Sequence, residues 1–359
     1  TLLNNLFRNY FNKLVKEMQK QVVREINGGS WRSSEDYENI INMTNIYKIM
    51  KSMTIENGIA RALSTGDFSI KQANSSKVGV AQVLNRLTYV SSLSHLRRIN
   101  TPLEKSGELI APRKLHNTTW GFLCPAETPE GQSIGIVKNI SYMAHLTIPT
   151  NSASLYEYIM PNITSVDDSS RNHLNKKTKV FINGCWVGVT DTPVELYNDI
   201  HDKKCKGIIN IYTSIVLDYK ALEIRVCNDG GRLTRPVLRV RNNKALLTPD
   251  ILKRLENKEL TWNDLLTNCR IPESVIEYID PEEQNYAVIA MKMKNDYLQG
   301  PHLNYTHCDI HPTLMFGALA SITPFSDSNQ LPRNTFATRQ AQQSIGIYAS
   351  NYSNRMDTE

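Results

Sequence analysis

The sequence predicts an α+β protein of several domains. Three observations support this class: 40% of the 359 residues are apolar, helical spacing of apolar residues dominates the first part of the chain, and a period of two begins near Val180. A chain of this length can bury more than one hydrophobic core, so we expect two or three domains from length alone.

Apolar residues from Leu2 to Met18 recur at the three-and-four spacing of an amphipathic helix. Basic residues lie mostly outside this stripe, at Arg8, Lys13, Lys16, Lys20 and Arg24. A solvated basic face on a packing helix is favoured over nucleic-acid contact. The sequence also predicts a second helical stretch from Tyr37 to Leu63 and a polar loop from Thr65 to Ser76.

The middle of the chain is predicted to be rich in β-structure. Asn183-Gly184 between two alternating runs is a strong hairpin signal. Further strands are predicted at Ile208 to Leu217, Leu222 to Cys227 and Val237 to Val240, with turns at Asp229 to Gly231 and Asn242-Asn243. Helices are predicted to start at Thr248 and Thr261, and another to span Phe336 to Tyr348.

Composition narrows the class of protein. The chain has 41 Lys and Arg against 35 Asp and Glu, a net charge of +6, which permits nucleic-acid contact without establishing it. No apolar run approaches the roughly 18 residues of a spanning helix, and the first residues lack a signal peptide's apolar core followed by small residues, so an intracellular protein is predicted. The six cysteines form no Cys-x-x-Cys pair, which favours reduced thiols over disulfides or a zinc ribbon.

The segment Cys124 to Gln132, "CPAETPEGQ", has neither helical nor strand periodicity and follows two basic runs, "HLRR" and "PRKLH". It indicates a functional loop that holds a charged ligand. The phrases "QVLNRLTYVSSLSHLRRINTP" and "PRKLHNTTWGFLCPAETPEGQSIGIVKN" also closely resemble the fork region of the second-largest, β-type subunit of multisubunit DNA-directed RNA polymerases. The match favours the eukaryotic, archaeal or large-DNA-virus type, and the chain ends suggest an internal fragment.

The resemblance covers the whole chain and implies five parts. "DGGRLTRPVLRV" and "YIDPEEQNYAVIAM" resemble the two external regions, and "THCDIHPTLMFGALASITPFSDSNQLPRNTFATRQAQQ" resembles the start of the hybrid-binding domain. The implied parts are a protrusion-like helical region at 1–64, the fork at 65–145, an external 1-like β-rich region at 146–240, an external 2-like region at 241–305 and the beginning of the hybrid-binding domain at 306–359.

Several residues match functional positions of that family. Arg333 matches an arginine that contacts the phosphates of the incoming nucleotide, and its five-donor fork suits a triphosphate. The resemblance assigns RNA or DNA contacts to Arg97, Arg98, Arg113, Glu130, Gln132 and Gln343. The chain departs from the family at Gln342, where relatives commonly have Lys or Arg, and Arg339 one turn earlier is a possible substitute.

The resemblance implies template-directed RNA synthesis from ribonucleoside triphosphates, with no catalytic residue in this chain. It places the catalytic Mg²⁺ on the largest subunit and the family's zinc site beyond Glu359. The implied partners are the largest and smaller subunits, DNA template, RNA transcript and ribonucleoside triphosphates, with no membrane. The location would be the nucleus, or a viral factory or virion.

Three alternatives stay open at this point. A non-catalytic nucleic-acid-binding or assembly module could share the polymerase-like fold. Glu127 and Glu130 could form the acid and base pair of a hydrolase. His302, His307, Cys308 and His311 could bind zinc, although their spacing matches no common site and packed, hydrogen-bonded histidines are favoured.

Overall fold

A computed structural model describes residues 2–28, 43, 46–69, 78–101, 103, 109–167, 174, 177–292 and 304–344. It contains helices and several sheets of mixed strand direction, so the predicted α+β class is confirmed. The chain forms two compact units, Thr1–Asn85 and Arg86–Glu359. The finer division into five parts stays a prediction. None of the described helices is long and apolar enough to cross a membrane.

The first unit contains helices α1 (Leu2–Asn27), α2 (Ile46–Ile49) and α3 (Met53–Thr65). The predicted amphipathic helix is confirmed as α1, which buries Leu6 against α3. A Cβ on Gly58 of α3 would lie 2.3 Å from the Tyr10 ring, so glycine permits this close approach. The prediction of one helical stretch from Tyr37 to Leu63 was wrong between α2 and α3, where the chain leaves the helix. Residues 37–42 and 70–76 lie outside the described part of the chain.

The second unit contains the remaining elements. Its described helices are α4 (Tyr89–Leu96), α5 (Ala153–Ile159), α6 (Pro193–Cys205), α7 (Pro249–Glu256), α8 (Trp262–Leu266), α9 (Pro281–Tyr286) and α10 (Leu331–Gln343). Its described strands are β1 (Arg98–Asn100), β2 (Val137–Asn139), β3 (His145–Leu146), β4 (Thr164–Ser165), β5 (Thr178–Ile182), β6 (Cys185–Thr190), β7 (Ser214–Asp218), β8 (Glu223–Cys227), β9 (Leu233–Arg241), β10 (Lys244–Ala245), β11 (Ile276–Ile279), β12 (Ile289–Ala290) and β13 (His307–Cys308).

A five-stranded sheet has the strand order β4-β6-β5-β8-β7. The predicted hairpin is confirmed, because β5 and β6 are antiparallel and Asn183 and Gly184 have positive φ angles of 48° and 83°. Alternate residues of β5 and β8, such as Val180 and Ile224, pack with α5 and α6 in one core. The strand predicted from Ile208 starts only at Ser214, because a turn at Asn210 precedes it.

A second sheet is built around β9, which pairs with β3, β10, β11 and β13. The predicted strand is confirmed and is longer than expected, running from Leu233 to Arg241. Both helix starts are also confirmed: the Thr248 hydroxyl accepts from the Ile251 N–H, and Thr261 forms a capping box with Asp264.

The last described helix differs from its prediction. It begins at Leu331, five residues before the expected start at Phe336, because Pro332 fits the first helical turn. Asn334, Thr335, Thr338 and Gln342 form its buried face. Arg333 therefore lies in the first turn of α10 and not before it, while 345–348 lie outside the described residues.

Candidate nucleic-acid interface

The loop from Cys124 to Gln132 is anchored on both sides. The Cys124 N–H donates to the carbonyl oxygen of Asn139 at 2.9 Å, and the Asn139 Nδ2 donates to the carbonyl oxygen of Glu127 at 3.1 Å. On the other side, the Thr335 hydroxyl of α10 donates to the carbonyl oxygen of Ala126 at 2.7 Å. The loop is thus held between β2 and α10.

The tip of this loop is a tight turn at Glu130 to Gln132. The side chains of Glu130 and Gln132, which flank Gly131, are exposed. Gly131 has a φ of 80°, which favours glycine. Arg113 supports the turn, because its Nη1 donates to the carbonyl oxygens of Gln132 at 2.5 Å and Ile134 at 3.0 Å. Arg113 therefore shapes the turn, and its predicted phosphate contact stays a prediction.

The neighbouring arginines of the fork have different surroundings. The Nη2 of Arg97 donates to the carbonyl oxygens of Ser141, Tyr142 and Ala144 at 2.6, 3.1 and 3.3 Å. These hydrogen bonds hold the segment Ser141 to Ala144, which follows β2, against Arg97. Its surroundings suit a structural role better than the predicted nucleic-acid contact, which stays a prediction.

Arg98 is half-buried on β1. Within the described residues its guanidinium has no hydrogen bond and no acidic oxygen within 4.0 Å. Burial lowers the pKa of Arg98, the Glu127 carboxylate opposes this effect, and the positive charge of Arg339 adds to it. The donors of Arg98 therefore have no acceptor in the part of the chain that the structure describes.

Glu127 of the loop is only 6% exposed. The Ser94 hydroxyl of α4 donates to its Oε1 at 2.5 Å. Burial raises the pKa of Glu127, while the Ser94 hydrogen bond and the charges of Arg98 and Arg97 oppose the rise. Glu130 is exposed, so these two acids lie in different environments and do not suggest the paired carboxylates of a hydrolase.

Helix α10 carries the remaining predicted site residues. Arg333 is exposed in the first turn, and no hydrogen bond or ion pair of its side chain is present in the described part of the chain. Gln343 is exposed at the last position of the helix. Gln342 is buried, and its Oε1 accepts from the Nη1 of half-buried Arg339 at 3.3 Å. The helix therefore carries, at one end, a guanidinium without a partner among the described residues and, at the other end, an exposed amide.

The histidines considered as zinc ligands have other contacts. His307 Nε2 lies 3.2 Å from Glu277 Oε2, and His311 Nδ1 accepts from the Thr313 N–H at 3.2 Å. The Cys308 thiol donates to a main-chain oxygen at 3.3 Å, and His302 lies outside the described residues. Across the ranges that the structure describes, no group of three or more His, Cys, Asp and Glu side chains could hold a metal ion.

Sequence reasoning missed two polar clusters, of which the first joins the fork to β9 and the second joins α6 to β11 and α9. In the first, Asp309 accepts from Trp120 Nε1 at 2.9 Å and from Arg235 Nη1 at 2.5 Å. In the second, buried Lys204 of α6 lies 3.1 Å from Glu277 and 3.0 Å from Glu283. The partners in these clusters are 73 to 189 residues apart, so no short pattern in the sequence could show that they meet. The arginine-rich phrase around Arg235 was the one sequence feature that pointed to either cluster.

Comparisons with known proteins identify the family. Models described as RNA polymerase Rpb2, domains 3, 4 and 5, match residues 82–146, 180–241 and 262–312. The chain is 40% identical to DNA-directed RNA polymerase II subunit RPB2 of Encephalitozoon cuniculi, 37% to subunit 2 of Arabidopsis thaliana polymerase II, and 33% to DNA-directed RNA polymerase subunit 2 of Acanthamoeba polyphaga mimivirus. Each match covers 99% of this chain but only 30% of the relative. The chain belongs to the family of second-largest subunits of multisubunit DNA-directed RNA polymerases.

Proposed function

We propose that this chain takes part in template-directed RNA synthesis as part of a DNA-directed RNA polymerase. The single observation that carries the proposal is the placement of Arg333. Its exposed guanidinium has no partner among the described residues, and its helix is tied through Thr335 to the loop that presents Glu130 and Gln132. The names of the relatives support the same activity.

Each proposed role follows from the local contacts. Arg333 would bind phosphates of a ribonucleoside triphosphate, because a free guanidinium donates two parallel hydrogen bonds to such a group. Arg98 would neutralise a backbone phosphate, which supplies affinity without sequence specificity. Gln343, Glu130 and Gln132 would line the path of the RNA 3′ end. Arg113 would hold the turn beneath them.

The reaction would be nucleotidyl transfer onto the RNA 3′ end. This chain would supply positioning and charge neutralisation, which are the main protein contributions to phosphoryl transfer. We propose that catalytic Mg²⁺ is held mainly by the largest subunit and that the family's zinc site lies outside these residues. Smaller subunits, DNA template and RNA transcript complete the proposed partners, and the proposed setting is inside the cell, in the nucleus or a viral factory or virion.

The test uses polymerase assembled with the full-length chain. Arg333→Ala should lower the rate of nucleotide incorporation at least tenfold and leave DNA binding within about twofold, because the missing donors serve only the triphosphate. Arg254→Ala is the control, since Arg254 is partly exposed and pairs with exposed Glu259 at 3.5 Å. Equal losses of incorporation and DNA binding would contradict the role of Arg333.

A non-catalytic binding or assembly module is the second candidate, favoured by the absence of any proposed catalytic residue from this chain. The same assembled complex separates the two functions. A module would retain nucleic-acid binding but incorporate no nucleotide with any template, whereas a polymerase would extend an RNA primer in the order that the template dictates.

A further inference from the structure

Cys205 ends helix α6 beside a histidine and a buried acid. Its Sγ lies 3.8 Å from Nδ1 of His201, which precedes it by one helical turn on the same face of α6. The Nε2 of His201 lies 3.0 Å from Oε1 of Glu277 on β11, and Glu277 is buried. The three side chains therefore connect a thiol, an imidazole and a carboxylate in the order in which a base activates a nucleophile and a third group orients the base.

The imidazole of His201 is held in its charged form. Burial lowers the pKa of His201, but the charge of Glu277, the hydrogen bonds with Cys205 and Glu277 and the charge of Cys205 together raise the pKa to about 10. At neutral pH the Nδ1–H of this imidazolium donates to the sulfur and its Nε2–H donates to Glu277. A cation hydrogen-bonded to sulfur favours the thiolate, which is the nucleophilic form of cysteine.

The other influences on the thiol act in both directions. Burial raises the pKa of Cys205, the hydrogen bond and the charge of His201 lower it, Glu277 raises it and Arg239 lowers it, with a downward net result. The helix dipole at the C-terminal end of α6 disfavours a thiolate. That end carries roughly half a charge spread over the last turn, whereas the imidazolium brings a full charge into direct contact with the sulfur.

Access to the sulfur is limited to small molecules. Cys205 is 7% exposed. A cavity of about 10 Å³ lies against it and is also lined by Ile211, Leu266 and Ser274. Such a cavity has room for about one molecule of the size of water. Hydrogen peroxide is little larger than water, so the cavity favours this oxidant over bulky electrophiles.

We propose that Cys205 is a site of oxidation by hydrogen peroxide. The thiolate sulfur attacks one oxygen of the peroxide, so that an S–O bond forms, the O–O bond breaks and the second oxygen leaves as hydroxide. His201 gives its Nδ1 proton to the hydroxide, which becomes water. The sulfur is oxidised to a sulfenic acid and the peroxide is reduced. This inference does not depend on the proposed function, because it uses none of the residues assigned to RNA synthesis.

Cys124 provides a comparison within the same chain. It is 7% exposed, as Cys205 is. Burial raises the pKa of the Cys124 thiol and outweighs its main-chain hydrogen bonds, one of which comes from the Glu127 N–H at 3.3 Å. Exposure alone therefore predicts equal oxidation of the two cysteines, whereas the contact with His201 predicts faster oxidation of Cys205.

The experiment treats polymerase assembled with the full-length chain with hydrogen peroxide and traps sulfenic acid with dimedone. Mass spectrometry then measures the labelling rate of each cysteine-containing peptide. Cys205 should be labelled about tenfold faster than Cys124, because more of its thiol is ionised. In urea the two rates should become similar, since unfolding separates His201 from the sulfur. Equal rates in the folded enzyme would overturn the proposal.

Two histidine variants test the role of His201. His201→Gln should lower the oxidation rate of Cys205 about tenfold, because an uncharged amide does not stabilise the thiolate. His307→Gln is the matched control, since His307 Nε2 lies 3.2 Å from the other carboxylate oxygen of Glu277 and no hydrogen bond within the described residues joins it to Cys205. Equal losses in the two variants, or no loss in either, would overturn the role of His201. If His201→Gln does not assemble, the comparison of Cys205 with Cys124 decides the proposal.

A bulky reagent tests the route to the sulfur. N-ethylmaleimide should alkylate the exposed Cys185 and Cys269 about tenfold faster than Cys205, because the cavity beside Cys205 is too small for it. Alkylation of all three at the same rate would show that the surrounding structure opens, and would overturn the cavity as the route for peroxide.

Discussion

The hydroxyl of Thr335 donates a 2.7 Å hydrogen bond to the main-chain carbonyl of Ala126, a residue 209 positions earlier in the chain. Both residues are buried. The bond joins the helix of Arg333 to the loop that ends at Gln132. The position of the proposed triphosphate contact relative to the turn therefore depends on this buried pair.

Thr335→Val should destabilise the second unit by about 1 to 2 kcal/mol, because the isosteric side chain leaves the Ala126 carbonyl oxygen buried without this donor. It should also slow nucleotide incorporation in the assembled enzyme. Urea unfolding measures the first effect. Thr323→Val is the matched control, since no side-chain hydrogen bond of Thr323 is present in the described residues; an equal change in both variants would argue against the importance of the Thr335 bond.

Arg97→Gln should mainly lower stability, whereas Arg98→Gln should mainly weaken nucleic-acid binding. Loss of Arg97 removes donors from three carbonyl oxygens and should cost about 1 to 3 kcal/mol of stability. Loss of Arg98 should leave stability nearly unchanged and weaken retention of nucleic acid, since its guanidinium has no hydrogen-bond partner among the described residues. Parallel unfolding curves and salt-dependent retention assays measure both, and a stability loss confined to Arg98→Gln would contradict this assignment.

Gly131 and Gly135 of the fork allow the cost of backbone strain alone to be compared with the cost of strain plus a steric clash. Gly131 and Gly135 have φ angles of 80° and 71°, so Gly→Ala at either position costs about 1 kcal/mol in backbone strain. A Cβ at Gly135 would also lie 2.3 Å from the Arg113 carbonyl oxygen, whereas one at Gly131 has nothing within 4 Å. Gly135→Ala should therefore lower the unfolding free energy by at least 1 kcal/mol more than Gly131→Ala, as measured by denaturant titration.

The ion pair between His201 and Glu277 predicts a loss of stability at alkaline pH. Burial lowers the pKa of His201, but the charge of the Glu277 carboxylate at 3.0 Å, the hydrogen bonds with Cys205 and Glu277 and the charge of Cys205 together outweigh burial and raise the pKa to about 10. The stabilisation is fully present below the unfolded pKa near 6.5 and is lost as pH rises towards 10, by roughly 1 kcal/mol per pH unit.

His201→Gln should reduce this dependence between pH 7 and pH 9. Unfolding free energies at matched pH values in the two proteins isolate the histidine, because the other groups titrate in both. If the unfolding free energy of the variant and of the original chain changed equally with pH, the contact with Glu277 would not raise the pKa of His201.

Some of the structure followed directly from local sequence. The Asn183-Gly184 hairpin, the helix starts at Thr248 and Thr261, and the amphipathic α1 were predicted correctly, since turn geometry, capping and apolar spacing act over a few residues. The predicted start of α10 at Phe336 was wrong, because Pro332 is suited to the first turn of a helix and the helix begins at Leu331.

The sequence by itself determined the fold class, the family and the residue types of the site, because these depend on short patterns and on whole matching phrases. Only the tertiary structure decided which contacts each arginine makes. Arg97 and Arg113 donate to carbonyl oxygens, whereas Arg98 and Arg333 have no such contact within the described residues. An arginine's role depends on which acceptors surround its guanidinium, and those acceptors come from segments that are distant in sequence and meet only on folding.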